Sequence, residues 1–235
     1  MSGGYRMLLF GSSGAIGSAI AKSAANRGWH ITGAVRPQSN SACETFDFVH
    51  YDVDGGFGGM DRVEPFDAVC WAQGANMVDS PASFDCARHL ELYRANCLSI
   101  MDSLFRLLDM RLLRDGGARL CAISSIWQER ARSDKFSYTV TKAAVGGIVR
   151  AASVDLGSQG HLFNGVLPGV LDTPMTRANL TPEQIERVSG KTSHDRLPDL
   201  DTLVATVLFL LSPENRSISG QSVTVDLGFS NTCLI

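Results

Sequence analysis

Cysteine is scarce and scattered in this chain of 235 residues. The six cysteines stand singly, with no Cys-x-x-Cys pair and no histidine cluster beside them. Metal centres and disulfide frameworks need clustered or paired cysteines, so this spacing argues against both kinds of site. Cys70, Cys97 and Cys121 lie in apolar segments, where a cysteine is expected to be a small buried side chain. The pattern predicts a reducing compartment and no metal.

Long runs of one charge and long apolar runs are also missing. The net charge is −3, and no basic cluster predicts a surface for nucleic acid. The N-terminal segment MSGGYRMLLF lacks the charged and long apolar parts of a signal peptide. No stretch approaches the ~18 apolar residues that a membrane span needs. We therefore expect a cytoplasmic protein that binds neither nucleic acid nor membrane.

Short apolar runs alternate with helical patterns along the whole sequence. This alternation predicts an α/β fold, a doubly wound parallel sheet of the Rossmann type with helices on both faces. We expect a single domain over residues 1–235 with about seven strands, and a turn at 55–59. The predicted strands are Arg6–Phe10, His30–Val35, 49–53, Ala68–Trp71, 119–124, 162–167 and Ser222–Val225. The predicted helices are 18–27, 84–113 (as two helices), 138–158, 181–189 and Leu200–Leu211.

A glycine-rich turn, GSSGAIG, follows the first predicted strand and opens the first helix. Gly11, Gly14 and Gly17 let the backbone turn sharply and approach a ligand closely. The N-terminus of the next helix offers free N–H groups and the positive end of its dipole. The position of the turn between a strand and a helix predicts a binding site for the pyrophosphate of a dinucleotide.

The end of the second predicted strand carries Arg36 where dinucleotide sites often carry an acidic residue. An acidic side chain there would bind the 2′-hydroxyl of the adenosine ribose. An arginine instead offers a planar fork of donors suited to a 2′-phosphate. The sequence therefore predicts that NADP(H) is preferred, with NAD(H) not excluded; a solvated arginine is the alternative reading.

The segment ISSIWQERARSDKFSYTVTK carries an arrangement suited to acid/base chemistry. Tyr138 and Lys142 are four residues apart, so on a helix they share one face. A lysine beside a phenol favours the ionised form, and we expect it to lower the tyrosine pKa below about 10. Such a phenol can exchange a proton with a carbonyl or alcohol oxygen. Ser124 and Ser125 end a strand at the ligand-binding edge, and a serine there could hold the same oxygen.

These motifs resemble the short-chain dehydrogenase/reductase family in its compact, single-domain form, including members like 3-oxoacyl-[acyl-carrier-protein] reductase. The resemblance covers nearly the whole chain. The segments that carry it, in order, are GSSGAIG, YDV, WAQG, Asn96, ISS, YTVTK, LPGVLDT and GQSVTVDLGF. It implies an NADPH-dependent oxidoreductase that reduces a ketone to a secondary alcohol by hydride transfer.

The resemblance also implies roles for single residues. Tyr138 would be the acid/base, and Lys142 would hold the nicotinamide ribose. Ser125 would bind the substrate oxygen, although an exchange of roles with Ser124 stays open. Asn96 would support a water in a proton relay; the alternative is an asparagine bonded to backbone. The residues that would border the cofactor are Gly11, Ser13, Gly14, Ile16, Gly17, Arg36, Asp52, Val53, Ala72, Gly74, Tyr138, Lys142, Pro168, Gly169, Leu171 and Thr173.

Two departures from the family pattern concern the cofactor. Ala15 stands where the family usually has a glycine, and Gly14 precedes it. The family's Asn-Asn-Ala-Gly segment reads Trp71-Ala72-Gln73-Gly74 here. The loss of two asparagines puts side-chain bonds behind the cofactor in question, but not the close approach of the glycine.

The sequence leaves two other functions open. A non-enzymatic NADP(H)-binding sensor or scaffold could share the fold, because a fold does not fix a function. A keto-sugar reductase or dehydrogenase of polysaccharide synthesis is the second alternative. The substrate is expected to be a small carbonyl or alcohol compound, and a polar segment at 174–198 is predicted to form a lid over it. The resemblance further implies a homo-oligomer, a tetramer or a dimer.

Overall fold

The computed structural model describes residues 4–37, 46–60, 63–173, 176–177 and 181–232. Its centre is one sheet in the order β4-β3-β2-β1-β5-β6-β7-β8. The strands are β1 Arg6–Phe10, β2 His30–Val35, β3 Asp47–Asp52, β4 Gly56–Gly58, β5 Ala68–Trp71, β6 Arg119–Ile123, β7 Leu162–Pro168 and β8 Ser222–Val225. The helices are α1 Ala15–Asn26, α2 Cys86–Tyr93, α3 Ser99–Asp109, α4 Phe136–Asp155, α5 Pro182–Ser189 and α6 Leu200–Leu211. The doubly wound α/β fold is confirmed.

Side chains of the central strands alternate between two cores, as the period of a strand requires. Leu8 and Phe10 of β1 pack into the core beneath α3 and α4. Met7 and Leu9 pack into the opposite core, beneath α1 and α6. Each of these four side chains is almost fully buried. Burying one such side chain stabilises the fold by about 1.5–3 kcal/mol. The sheet is therefore fixed from both faces.

Several elements begin or end a few residues from the predicted bounds, and one strand has no counterpart in the sequence prediction. The turn expected at 55–59 contains β4, which pairs antiparallel with β3 and brings the sheet to eight strands. The other pairings are parallel. A strand of three residues with two glycines has no apolar alternation, so its pairing depends on the neighbouring strand rather than on its own sequence.

The long helical stretch expected at 84–113 is two helices, as predicted, but they are joined by a turn of π-helix at Arg94–Leu98. The amide of Ser99 bonds to the carbonyl of Arg94 across this wider turn. Turns of this type are rare and occur frequently at functional sites. Here the turn holds Asn96, one of the predicted site residues.

The segment predicted as a lid, 174–198, is described only in part. Pro174, Met175 and residues 178–180 lie outside the described residues, as do Cys43 and Cys233. Helix α5 falls within the segment and begins with a capping box between Thr181 and Gln184. The lid and the single-domain organisation stay predictions. None of the helices described here has the length and apolarity needed to cross a membrane.

Candidate active site

The glycine turn between β1 and α1 has a backbone that side chains would obstruct. Gly11 has φ +74°, and a Cβ there would lie 2.6 Å from the backbone nitrogen of Gln73. A Cβ on Gly17 would lie 2.1 Å from the carbonyl oxygen of Gly11. Gly14 caps α1 without any side-chain hydrogen bond. The turn therefore needs its glycines for packing, and it leaves the first amides of α1 free of side-chain caps.

A cleft of about 700 Å³ opens beside this turn. It lies where the strand order reverses between β1 and β5, the place where ligands bind in such sheets. The predicted cofactor residues that line it are Gly11, Ser13, Gly14, Arg36, Asp52, Val53, Ala72 and Gly74. Residues that line it but were not predicted include Phe10, Tyr51, Gln73, Ala75, Glu91, Arg94 and Ser99.

Tyr138 and Lys142 do not line this cleft, and neither do six other predicted cofactor residues. Ile16 packs toward the core beneath α1, and Gly17 is the close contact within the turn. The other four are Pro168, the last residue of β7, and Gly169, Leu171 and Thr173, which follow the strand. Gly169 approaches Asp226 so closely that a Cβ would lie 2.8 Å from the aspartate Cβ. Leu171 is buried, and the Thr173 hydroxyl accepts a hydrogen bond from the amide of Thr176.

Charged side chains surround the far end of the cleft. Arg36 is exposed there, and it follows β2 directly. One carboxylate oxygen of Asp52 accepts hydrogen bonds from the amides of Asp54 (2.8 Å) and Gly55 (2.6 Å). Arg94 forms an ion pair with Asp54 across the turn after β3. Arg36 has no ion pair among the described residues, so its guanidinium can bind an incoming anion.

Gln73 supplies an independent test of whether a ligand fits the cleft. Its Nε2 donates to the Ser99 hydroxyl over 3.2 Å, whereas its buried Oε1 has no hydrogen-bond partner. A buried acceptor without a partner costs about 1–3 kcal/mol. A bound group with N–H or O–H donors would satisfy it. The uncapped helix start, the glycine turn and this acceptor together fit a dinucleotide.

The two serines after β6 face different partners. The Ser124 hydroxyl donates to the carbonyl of Lys142 over 3.5 Å, so it joins β6 to the backbone of α4. The Ser125 hydroxyl accepts from the amide of Trp127 over 3.3 Å and lies beside Tyr138. Both residues are buried. The geometry therefore puts Ser125, rather than Ser124, next to the phenol.

The electrostatics at Tyr138 differ from the sequence expectation. The pKa of Tyr138 is raised above its ordinary value because the phenol is buried, while the Ser125 hydroxyl lowers it. The ammonium of Lys142 lies 5.6 Å from the centroid of the Tyr138 ring. Burial lowers the pKa of Lys142 to about 8. The expectation of a lowered tyrosine pKa is wrong for the chain alone, because burial of the phenol outweighs the opposing effect of the Ser125 hydroxyl.

A family model described as Enoyl-(Acyl carrier protein) reductase matches residues 68–230, more than half of the chain. The chain belongs to the short-chain dehydrogenase/reductase family. Members of this family are oxidoreductases, so that class is confirmed as well.

Relatives of the short-chain dehydrogenase/reductase family match over nearly full length. A 3-oxoacyl-[acyl-carrier-protein] reductase from Vibrio cholerae is 27% identical over 238 residues, covering 94% of this chain and 95% of that protein. An uncharacterized oxidoreductase from Bacillus subtilis is 26% identical, covering 94% and 97%. The crystal structure of a gluconate 5-dehydrogenase from Burkholderia cenocepacia, in complex with NADP and tartrate, superposes with a TM-score of 0.85 at 24% identity, covering 98% and 96%.

Asn96 has a different environment from the one expected in a short-chain dehydrogenase/reductase relay. Its side chain bonds to both backbone groups of Ala75: Oδ1 accepts from the amide at 2.7 Å, and Nδ2 donates to the carbonyl at 3.0 Å. Nδ2 also donates to the Thr141 hydroxyl at 3.0 Å. Every polar atom of the side chain thus has a protein partner. This matches the alternative reading of an asparagine bonded to backbone, and the relay role stays a prediction.

Sequence reasoning missed polar residues that only the fold brings to the site. Gln73 is one, and Lys135 is another, since its ammonium lies 5.6 Å from the centroid of the Tyr138 ring. The spacing of three residues between Lys135 and Tyr138 was a usable signal. The buried position of Gln73 Oε1 had no signal in the sequence. In the described ranges, no three metal-ligating side chains come together.

Proposed function

We propose that this protein is an NADPH-dependent oxidoreductase that reduces a ketone to a secondary alcohol. The observation that carries the proposal is the grouping of Ser125, Tyr138 and Lys142 at the carboxyl edge of the sheet. The Ser125 hydroxyl and the Lys142 ammonium both lie beside the Tyr138 phenol. Gly74 lines the cleft with the glycine turn, and a Cβ on Gly74 would lie 3.6 Å from Lys142 Nζ. A proton donor therefore adjoins a dinucleotide cleft.

In this mechanism the protein orients the substrate and supplies the proton, while bound NADPH would supply the hydride. The hydroxyls of Ser125 and Tyr138 hold the oxygen of the ketone. As negative charge develops on that oxygen, Tyr138 transfers its phenolic proton to it. The Lys142 ammonium stabilises the resulting phenolate, because with a pKa of about 8 it is mostly charged at neutral pH. Asn96 holds the backbone of Ala75, a residue that lines the cleft.

Different groups of residues are proposed to bind different parts of NADPH. The amides after Gly11, Ser13 and Gly14 would bind the pyrophosphate at the start of α1. Asp52 and Val53 would border the adenine, and Ala72 and Gly74 the middle of the cofactor. Lys142 would bind the nicotinamide ribose. The segment from Pro168, at the end of β7, to Thr173 would cover the nicotinamide side, and Ile16 and Gly17 would maintain the shape of the glycine turn.

The named relatives support carbonyl chemistry. The Vibrio cholerae protein is named for reduction of a 3-oxoacyl group, and the Burkholderia cenocepacia protein for oxidation of gluconate. Both act on a carbonyl and alcohol pair. The second name keeps the keto-sugar alternative open for the substrate of this chain.

The experiment that tests the proposal is a panel of carbonyl compounds assayed by NADPH oxidation at 340 nm. The panel includes 3-oxoacyl thioesters, small ketones, oxo acids and keto-sugars. Turnover of any member supports the reductase. Tight binding of NADPH without turnover of any member would favour a sensor or scaffold instead, and no binding of NADPH would contradict both functions.

Replacing Arg36 with leucine is expected to weaken NADPH binding by about 10- to 100-fold, because a charge-assisted bond to the 2′-phosphate is lost. Binding of NADH, which lacks that phosphate, is expected to change less than threefold. Fluorescence titration of each nucleotide measures both values. Arg216→Leu removes another exposed arginine, away from the cleft, and serves as control. Equal losses for the two nucleotides in Arg36→Leu would refute the assignment.

The homo-oligomer stays a prediction, and exposed apolar side chains support it. Met101 and Phe105 of α3 and Val140 of α4 are large and exposed. A second chain would cover such side chains in an oligomer.

A further inference from the structure

Lys135 is a buried lysine close to the proposed acid/base. It is the residue just before α4, and it is only 8% exposed. It lies three residues before Tyr138, whereas Lys142 lies four residues after it, so the two lysines flank the tyrosine along the chain. Each ammonium is 5.6 Å from the centroid of the Tyr138 ring. The family segment YTVTK contains Lys142 but not Lys135.

The ammonium of Lys135 has neutral partners only. It donates to the side-chain oxygen of Asn76 over 2.7 Å and to the carbonyl of Met77 over 3.2 Å. An ammonium has three N–H donors, so these two bonds leave one donor over. Across the described part of the chain, no carboxylate lies within 4.0 Å of it. A buried cation without a contact anion is costly, and proteins normally pair such a charge.

The acid that acts on Lys135 from nearby, Asp79, is already bound elsewhere. Its two oxygens accept from the amide of Ser137 over 3.0 Å and from the Ser137 hydroxyl over 2.6 Å. It therefore serves the N-terminus of α4, where a carboxylate is favoured by the helix dipole. Burial, followed by the charge of Arg132, lowers the pKa of Lys135, and Asp79 opposes this. Asp79 therefore compensates the charge of Lys135 only from a distance, and no described carboxylate is in contact with this ammonium beside the Tyr138 phenol.

We propose that Lys135 binds a carboxylate of the substrate, which makes the substrate an oxo acid. This inference rests on the proposed function, because the ketone oxygen must lie against Ser125 and Tyr138. The carboxylate would accept the remaining N–H of Lys135 and supply the missing counter-ion. The short distance between the ammonium and the Tyr138 ring favours acids whose carboxylate is one or two carbons from the ketone. Lys135 is thus a specificity residue beside the acid/base.

The test compares acids with their uncharged esters on the NADPH-loaded protein. The probes are 2-oxobutanoate and 3-oxobutanoate, each with its ethyl ester. Calorimetry measures binding, and NADPH oxidation measures kcat/KM. We expect at least one acid to exceed its ester by about tenfold or more in binding or in kcat/KM. Lys135→Gln replaces the ammonium by an uncharged amide that still has N–H donors. We expect it to lower the affinity or kcat/KM for that acid by about 10- to 100-fold, and to change the same quantity for the ester less than threefold.

Two further variants separate recognition from folding. Lys135→Arg keeps the charge and is expected to retain the preference for the acid. Arg130→Gln removes an exposed cation of the same loop and is expected to change neither probe. Equal losses for acid and ester in Lys135→Gln would show a structural lysine and overturn the proposal. Esters that react while the acids neither bind nor react would also overturn it but leave the reductase standing. Acids that bind through Lys135 without any carbonyl turnover would instead contradict the reductase and keep the anion site.

Discussion

Tyr138→Phe is expected to lower kcat by about 10³-fold or more in the reduction assay, because it removes the hydroxyl that we propose donates the proton. The ring and its two neighbouring ammonium groups stay in place, so binding of NADPH should change less than threefold. Stopped-flow measurement of NADPH oxidation gives the rate, and fluorescence titration gives the affinity. Retention of more than a tenth of the wild-type kcat would contradict the role of Tyr138.

Tyr93→Phe provides the matched control, since Tyr93 is another partly buried tyrosine, at the end of α2. It is expected to leave kcat within twofold of the wild-type value.

The two serines after β6 give a second comparison of kcat values. Ser125→Ala should lower kcat by about 10²-fold, because a donor to the developing alkoxide is lost. Ser124→Ala removes only a long bond to the backbone of α4 and should have a much smaller effect.

Lys142→Met is expected to inactivate the protein and, at the same time, to stabilise it. The lysine is almost fully buried, and its pKa falls from 10.5 to about 8 in the folded chain. At neutral pH the folded state must keep this ammonium charged in a poorly solvated place. Its removal should raise the free energy of unfolding by about 1–3 kcal/mol at pH 7, measured by urea denaturation without nucleotide. Turnover should fall by about 10³-fold.

The pH dependence of this stability difference has a defined sign. Between about pH 8 and 10.5 the folded state has lost the Lys142 proton while the unfolded state still holds it, so the stability of the wild type rises with pH relative to the variant. The advantage of Lys142→Met is therefore full below pH 8 and declines above it. Lys22→Met, an exposed lysine on α1, should show no such difference. A variant less stable than the wild type at pH 7 would refute the argument.

The sequence predicts the bounds of those strands and helices whose own residues mark where they begin and end. Strands β1, β2, β5 and β8 and helix α6 have the predicted bounds, because apolar runs and end signals mark them directly. Helix α6, for example, begins after Asp199, whose side chain accepts from the amide of Thr202 over 2.6 Å. Strand β4 has no such signal, since its three residues form a strand only by pairing with β3.

Some residues of the candidate site could likewise be predicted from the sequence, whereas others could not. Tyr138 and Lys142 follow from a helical spacing, and Ser125 from the end of a strand, so the sequence places them together. The bond between Lys135 and Asn76 joins residues 59 apart in the chain, which no local pattern predicts. The direction of the Tyr138 pKa was also out of reach, because burial depends on what the folded chain packs around the phenol.

The bonds of Asn96 make one unit out of three segments. The side chain holds both backbone groups of Ala75, as a neighbouring strand would, and it also binds Thr141, one residue before Lys142. The cleft lining at Ala75, the π-helical turn and helix α4 are therefore linked by hydrogen bonds to the single side-chain amide of Asn96. Any change at Asn96 would therefore affect the cleft lining at Ala75 and the helix segment beside Lys142 together.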